Sequence, residues 1–150
     1  MKLQFTRTGT DRRSLRLATL WTGGRVASMW AMVKTVLVVD DHAGFRELAR
    51  TLLEEGGYRV IGEATDGLTA LSAVRRLRPD AVLLDVHLPD MDGFAVAAAL
   101  GLERPAPRVV LTSADEDERV GSLLRRSGAL GFVAKAALAN AQLGSLWEQH

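Results

Sequence analysis

The chain has 150 residues, 47% hydrophobic and 25% charged, which is enough apolar material for one soluble globular domain. It has no cysteine, which excludes disulfides, thiolate nucleophiles and cysteine-ligated metal centres, and its histidines at 42, 87 and 150 fit no metal-motif spacing. The net charge of +1 is uneven: residues 1–33 carry six bases (Lys2, Arg7, Arg12, Arg13, Arg16, Arg25) against Asp11, a net +5, leaving thirteen bases against seventeen acids, a net −4, in an acidic body with little reason to bind nucleic acid.

Residues 1–33 show no strand or helix alternation and are expected to form a disordered basic leader, an upstream start codon being one account of it; "MVKTVLVVDD" from Met32 reads as the start of the domain. Charges such as Arg16, Arg25 and Lys34 break every candidate for the roughly 20 apolar residues of a transmembrane helix, so a cytoplasmic protein without a membrane partner is expected. From Val36 the chain alternates short β-branched runs with amphipathic segments. "VLVV" is a buried strand, and Phe45, Leu48, Ala49, Leu52 and Leu53 recur at helical spacing until "EEGGY" stops the helix. "YRVIGEA" is a second strand and "DGLTALSAVRRLRP" a helix ended by Pro79. "DAVLLD" is a third strand, followed by the turn-rich "LPDMDG" and a helix around "FAVAAAL". "RVVLT" is a fourth strand and "DEDERVGSLLRRSG" a helix with acids in its first turn and arginines in its last. "LGFVAK" is a fifth strand, and a closing helix is expected from Leu138 to about Trp147.

Five strand–helix units predict an α/β fold with a parallel sheet covered on both faces, because parallel neighbours need crossover connections. Ligands of such sheets bind beyond the carboxyl ends of the strands. There the sequence places Asp40 and Asp41, Asp85, Thr112 and Lys135. Two carboxylates about 4 Å apart repel by about 4 kcal/mol at an effective dielectric of 20, so three together either protonate or recruit a cation. Oxygen-only donors favour magnesium, which binds through one or two carboxylates, waters and a phosphate oxygen. A lysine and a threonine beside them can hold phosphoryl oxygens while a carboxylate attacks phosphorus.

The motifs "VLVVDDH", "DAVLLDVHLPDMDG", "RVVLTSAD" and "GALGFVAK" resemble the receiver domain of bacterial two-component response regulators, over residues 34–150 as a domain. The resemblance implies a flavodoxin-like doubly wound sheet of order 2-1-3-4-5, with Asp85 as phosphoacceptor from a histidine kinase or phosphotransfer protein. It further implies magnesium held by Asp41 directly, by Asp40, by Asp85 and by the backbone carbonyl of His87. Thr112 is then the switch hydroxyl, Phe132 the switch aromatic and Lys135 the phosphate-pairing lysine. The implied output is contact with a downstream protein, or with a second copy, through the last helix-strand-helix face, without direct nucleic acid binding. "GALGFVAK" resembles the corresponding stretch of receivers that precede helix-turn-helix outputs, yet the sequence ends after a fifth helix, so a stand-alone, non-enzymatic module is expected. Two departures stand out: Ala136 replaces the proline common after the lysine, and Phe132 lacks the hydroxyl of the commoner tyrosine. Two other classes share part of the pattern. Aspartyl-phosphate phosphatases of the haloacid dehalogenase type have a second Asp two residues after the nucleophile, where this chain has His87. A pseudo-receiver binds partners without phosphorylation, but no site residue is missing here.

Overall fold

The computed structural model describes residues 34–114, 120–141 and 143–147; the basic leader and the acidic run Asp115–Glu118 lie outside them. Strands β1 (Thr35–Val39), β2 (Arg59–Ala64), β3 (Ala81–Asp85), β4 (Arg108–Ser113) and β5 (Gly131–Ala134) form one sheet in the order β2-β1-β3-β4-β5. Every pairing is parallel. The expected flavodoxin-like topology is therefore the observed one. Between the strands run helices α1 (Ala43–Glu55), α2 (Gly67–Leu77), α3 (Gly93–Leu100) and α4 (Val120–Ser127).

The strands read as continuous apolar runs because both faces of the sheet are covered. Side chains alternate between faces, and the burial sorts accordingly. Leu37, Val39, Val82, Leu84, Val109 and Leu111 join the buried residues of α2 and α3 in one core. Val36, Val38, Ala81, Leu83 and Val110 join Ala49 and Leu53 of α1 in the other. Full burial of each such Leu or Val contributes about 1.5–3 kcal/mol. In α1 the buried stripe is narrower than its spacing suggested: Leu48 lies at its margin and is 48% exposed.

Local signals fix the helix ends. The Asp66 carboxylate accepts from Thr69 N at 2.8 Å and Thr69 Oγ1 accepts from Asp66 N at 3.3 Å, a reciprocal cap that starts α2. Arg78, just before Pro79, ends it in the left-handed region at φ 50°. Helix α1 ends at Glu55 and Gly57 turns the chain at φ 95°, which glycine adopts without steric cost.

The single closing helix expected from Leu138 to Trp147 is instead two pieces, a 3-10 helix over Lys135–Asn140 and a short α5 over Leu143–Trp147. Leu138 and Leu143 are five residues apart, too far for one face of a continuous helix. Breaking the helix at Ala141, which is extended, lets Leu138, Leu143 and Trp147 enter the same core. Trp147 is fully buried, meets Tyr58 edge-on at 5.3 Å between ring centroids, and its carbonyl accepts from Arg108 at 2.7 Å.

Glycine tolerance tests this packing. A Cβ on Gly93 would collide with the backbone carbonyl of Asp85 and with Val86, neither of which can swing aside, whereas one on Gly44 meets nothing within 4 Å. Gly93→Ala is expected to destabilise the fold by about 1–3 kcal/mol, and Gly44→Ala to be neutral or stabilising by up to about 1 kcal/mol. Urea midpoints at unchanged m-value check both.

Candidate functional site

Four strands deliver their terminal residues to one edge. Asp40 follows β1 and is fully buried, its N–H donating to Ala64 O at 3.0 Å across to β2. Asp85 is the last residue of β3, also buried, and pairs in register with Thr112 of β4. Thr112 is fully buried too; its carbonyl accepts from Val86 N at 2.8 Å, and its Oγ1 has no hydrogen-bond partner among the described residues. Lys135 follows β5 and opens the 3-10 helix across a trans bond to Ala136, so the turn forms without a cis peptide.

The two buried aspartates are held alike. In each, Oδ1 accepts from the N–H two residues on: Asp40 from His42 at 2.8 Å, Asp85 from His87 at 3.0 Å. In each, Oδ2 faces the Lys135 ammonium, at 2.6 Å from Asp40 and 3.2 Å from Asp85. The lysine also lies 4.6 Å above the centroid of the Phe45 ring in α1. Asp41 is more exposed, with Oδ1 3.1 Å from Nδ1 of His42.

Charge crowding shows in the acid–base balance. Burial pushes the Asp85 carboxyl up; the His87 N–H opposes this, the Asp40 charge adds to it and Lys135 opposes it again, and the outcome is a value above the ordinary aspartate range. Burial alone would lower Lys135, yet its hydrogen bond to Asp40 and the charge of Asp85 hold it above the ordinary lysine value. The site thus carries an ammonium that stays protonated at neutral pH and a carboxylate whose ionisation is opposed.

The loop between β3 and α3 is fixed by backbone donors. Asp90 accepts from Gly67 N at 2.7 Å and Leu68 N at 3.0 Å, clamping the start of α2, and these donors hold its carboxyl below the usual range. Asp92 caps α3 through Phe94 N at 2.7 Å. Both residues shape the loop, as their turn-rich sequence suggests. The His87 side chain is exposed. Phe132 pairs with Leu111 and is half-buried against the core under α2 and α3.

The sequence-selected residues Asp40, Asp41, Asp85 and Lys135 therefore come together, with Thr112 beside Asp85 in the sheet. One residue was missed: His42. Carboxylate oxygens of Asp40, Asp41 and Asp85 and a ring nitrogen of His42 all lie within 4.8 Å of one another. The signal was its position, directly after two acids and at the helix N-cap. This donor set fits a divalent cation, since it gathers negative charge that one ammonium does not balance.

The family model described as the response regulator receiver domain matches residues 36–144. The protein-glutamate methylesterase/protein-glutamine glutaminase 2 of Anaeromyxobacter dehalogenans is 44% identical over 110 residues, 73% of this chain and 32% of that protein. The transcriptional regulatory protein NarL of Mycobacterium tuberculosis is 42% identical over 101 residues, 67% of this chain and 47% of that protein. The solved signal receiver domain of NarL from Mycobacterium tuberculosis superposes with a TM-score of 0.67 at 36% identity, covering 77% of this chain and 97% of that one. The chain spans from about a fifth to about half of the length of the curated relatives it matches. Fold, site and similarity agree: the chain belongs to the response regulator receiver domain family, a family of phosphoacceptor signalling modules.

Proposed function

We propose that Asp85 accepts a phosphoryl group from a histidine kinase or phosphotransfer protein, and that the modified site redirects a protein-binding face. The observation that carries this reading is the convergence of Asp40, Asp85, Thr112 and Lys135 at one sheet edge, with the Thr112 hydroxyl buried and without a partner among the described residues. A buried hydroxyl normally has a partner; a phosphoryl oxygen on the neighbouring Asp85 would supply one. In the transfer, an Asp85 carboxylate oxygen forms a bond to phosphorus as the bond to the donor imidazole nitrogen breaks, giving an acyl phosphate and a free donor histidine. Lys135, already within ion-pair distance of Asp85, is placed to pair with a phosphoryl oxygen. Asp40, Asp41, Asp85 and the backbone carbonyl of His87 would hold magnesium, which when bound offsets the charge of the phosphoryl oxygens and of the crowded acids. All these groups lie within the module at 34–150, and residues 1–33 take no part in the chemistry.

The readout is a repacking biased by local charge. Drawing the Thr112 hydroxyl toward a phosphorylated Asp85 frees space on the sheet, and the half-buried Phe132 on β5 is the side chain placed to respond. The face formed by α4, β5 and the closing 3-10 and α5 helices then meets a downstream protein or a second copy. Exposed Arg125 and Arg126 give it charge that could pair, across a two-fold axis, with the acids Asp115–Glu118 of a second copy, a run that lies outside the described residues. Among the described residues no helix is long and apolar enough to cross a membrane.

Incubation with acetyl phosphate and magnesium is expected to add one phosphoryl group to the intact mass, lost on chelation or in Asp85→Asn; a label that persists in Asp85→Asn places the acceptor elsewhere. Thr112→Ala is expected to leave that label in place but to confine beryllofluoride-induced amide shifts to the pocket, whereas in the parent they extend to β5 and α5. Stability supplies a further check. Because the Asp85 value is raised in the fold, its contribution is full below the unfolded value and declines as pH rises through the folded one. Without metal, Asp85→Asn is therefore expected to melt a few degrees above the parent at pH 7 and level with it below pH about 3.5; thermal melts across pH that run parallel would refute the crowding.

A further inference from the structure

His42 occupies the N-cap of α1 but makes no side-chain capping hydrogen bond. That position favours short Ser, Thr, Asp or Asn side chains, which accept from the first turn. Here the imidazole turns away from the helix into the carboxylates, with Nδ1 3.2 Å from Asp40 Oδ1 and 3.1 Å from Asp41 Oδ1. Those separations suit neighbouring ligands of one ion: at bond lengths of about 2.1 Å, adjacent octahedral ligands lie about 3.0 Å apart and opposite ones about 4.2 Å. The four donor atoms of Asp40, Asp41, His42 and Asp85 fall within 4.8 Å of one another, slightly wider than the span of opposite ligands, so a single ion among them would draw the outermost donors in. Without an ion the same spacing serves an N–H on Nδ1. The His42 side chain is 70% exposed, so water can move that proton to Nε2 and leave a lone pair on Nδ1.

We propose that Nδ1 of His42 is an additional donor of this pocket, and that it lets the site take borderline divalent ions such as Co2+, Ni2+ and Zn2+ as well as magnesium. The inference rests on the carboxylate cluster being a cation site. Carboxylates and water suit magnesium and manganese, whereas imidazole suits nickel, zinc and copper. Nickel binds most nitrogen and oxygen sites more tightly than lighter divalent ions, so a bare preference for it says little. The diagnostic is a selectivity that depends on His42.

Calorimetric titration of the full chain with Mg2+ and with Ni2+ compares the parent, His42→Asn and His150→Ala, which removes an imidazole far along the chain from the carboxylates. Asn restores a favourable N-cap and removes only the nitrogen donor. Nickel affinity is expected to fall at least tenfold in His42→Asn while magnesium affinity stays within about twofold, and His150→Ala should match the parent for both ions. With Co2+ bound, the parent should show strongly shifted, non-exchangeable imidazole ring C–H protons in its NMR spectrum that His42→Asn lacks. An unchanged nickel affinity, an equal loss for both ions, a loss found in His150→Ala instead, or the absence of the cobalt-shifted protons overturns the assignment. A parent that binds nickel through His42 but no magnesium upholds it and rejects the magnesium reading of the pocket; a parent that binds neither ion overturns both.

Discussion

Everything at the working edge of this sheet follows from placing two aspartates on neighbouring parallel strands. Strands β1 and β3 are hydrogen-bonded, so their terminal side chains are separated by about one strand spacing, 4.7–4.9 Å. Asp40 and Asp85 are both buried there. At such a distance, two carboxylates repel by several kcal/mol unless a cation stands between them. Lys135 is that cation in this structure, bridging the two Oδ2 atoms with a side chain only 13% exposed. Losing the lysine would leave both buried carboxylates without a cation, and stranding a buried charge in this way costs about 3–5 kcal/mol. The lysine must therefore come from the strand that ends nearby, and Phe45 beneath it fixes where the ammonium rests.

The two sides of the pocket differ in how tightly they are built. On the α3 side, the loop after Asp85 is tied by Asp90 to the start of α2, by Asp92 to α3, and by Gly93 packed against the Asp85 carbonyl. Helix α3 buries Gly93, Phe94, Val96, Ala97 and Leu100. On the other side, the one buried residue among the described residues of α4 is Ser127, while Val120, Leu123 and Leu124 are half-buried. Few buried apolar contacts mean a low free energy of local rearrangement. Under the proposed function, a charge added at Asp85 would act between a wall that holds and a helix that shifts at low cost, which is what a switch requires.

Most of the fold was legible because a sheet buried on both faces writes its strands as unbroken apolar runs, and turn residues punctuate them. The convergence of Asp40, Asp85, Thr112 and Lys135 was legible because topology alone brings strand ends together. What escaped has a common physical cause, contacts made across long sequence separation or set by side-chain direction. Asp90 reaches Gly67 over 23 residues, and no local pattern encodes that. The rotation of the His42 ring toward Asp40 and Asp41 depends on the neighbouring carboxylates rather than on helix signals, although an imidazole at an N-cap after two acids was a visible anomaly. The break at Ala141 could have been inferred from the five-residue step between Leu138 and Leu143.

The aspartates of this domain divide by the kind of partner they hold. Asp66, Asp90 and Asp92 use their carboxylates on backbone N–H groups, and Asp80, at the opposite edge, accepts from Lys34 N, Thr35 N and Thr35 Oγ1 through one oxygen. Backbone donors cannot leave without unfolding an element, so these residues are structural. Asp40 and Asp85 commit one oxygen to a backbone N–H and the other to a lysine side chain. A side-chain cation can move by rotating a few bonds, and another cation can take its place. The oxygens at the working edge are thus held in position by the backbone while their charge partner stays exchangeable, which is the condition under which a buried carboxylate can be both tolerated in the resting protein and available for chemistry.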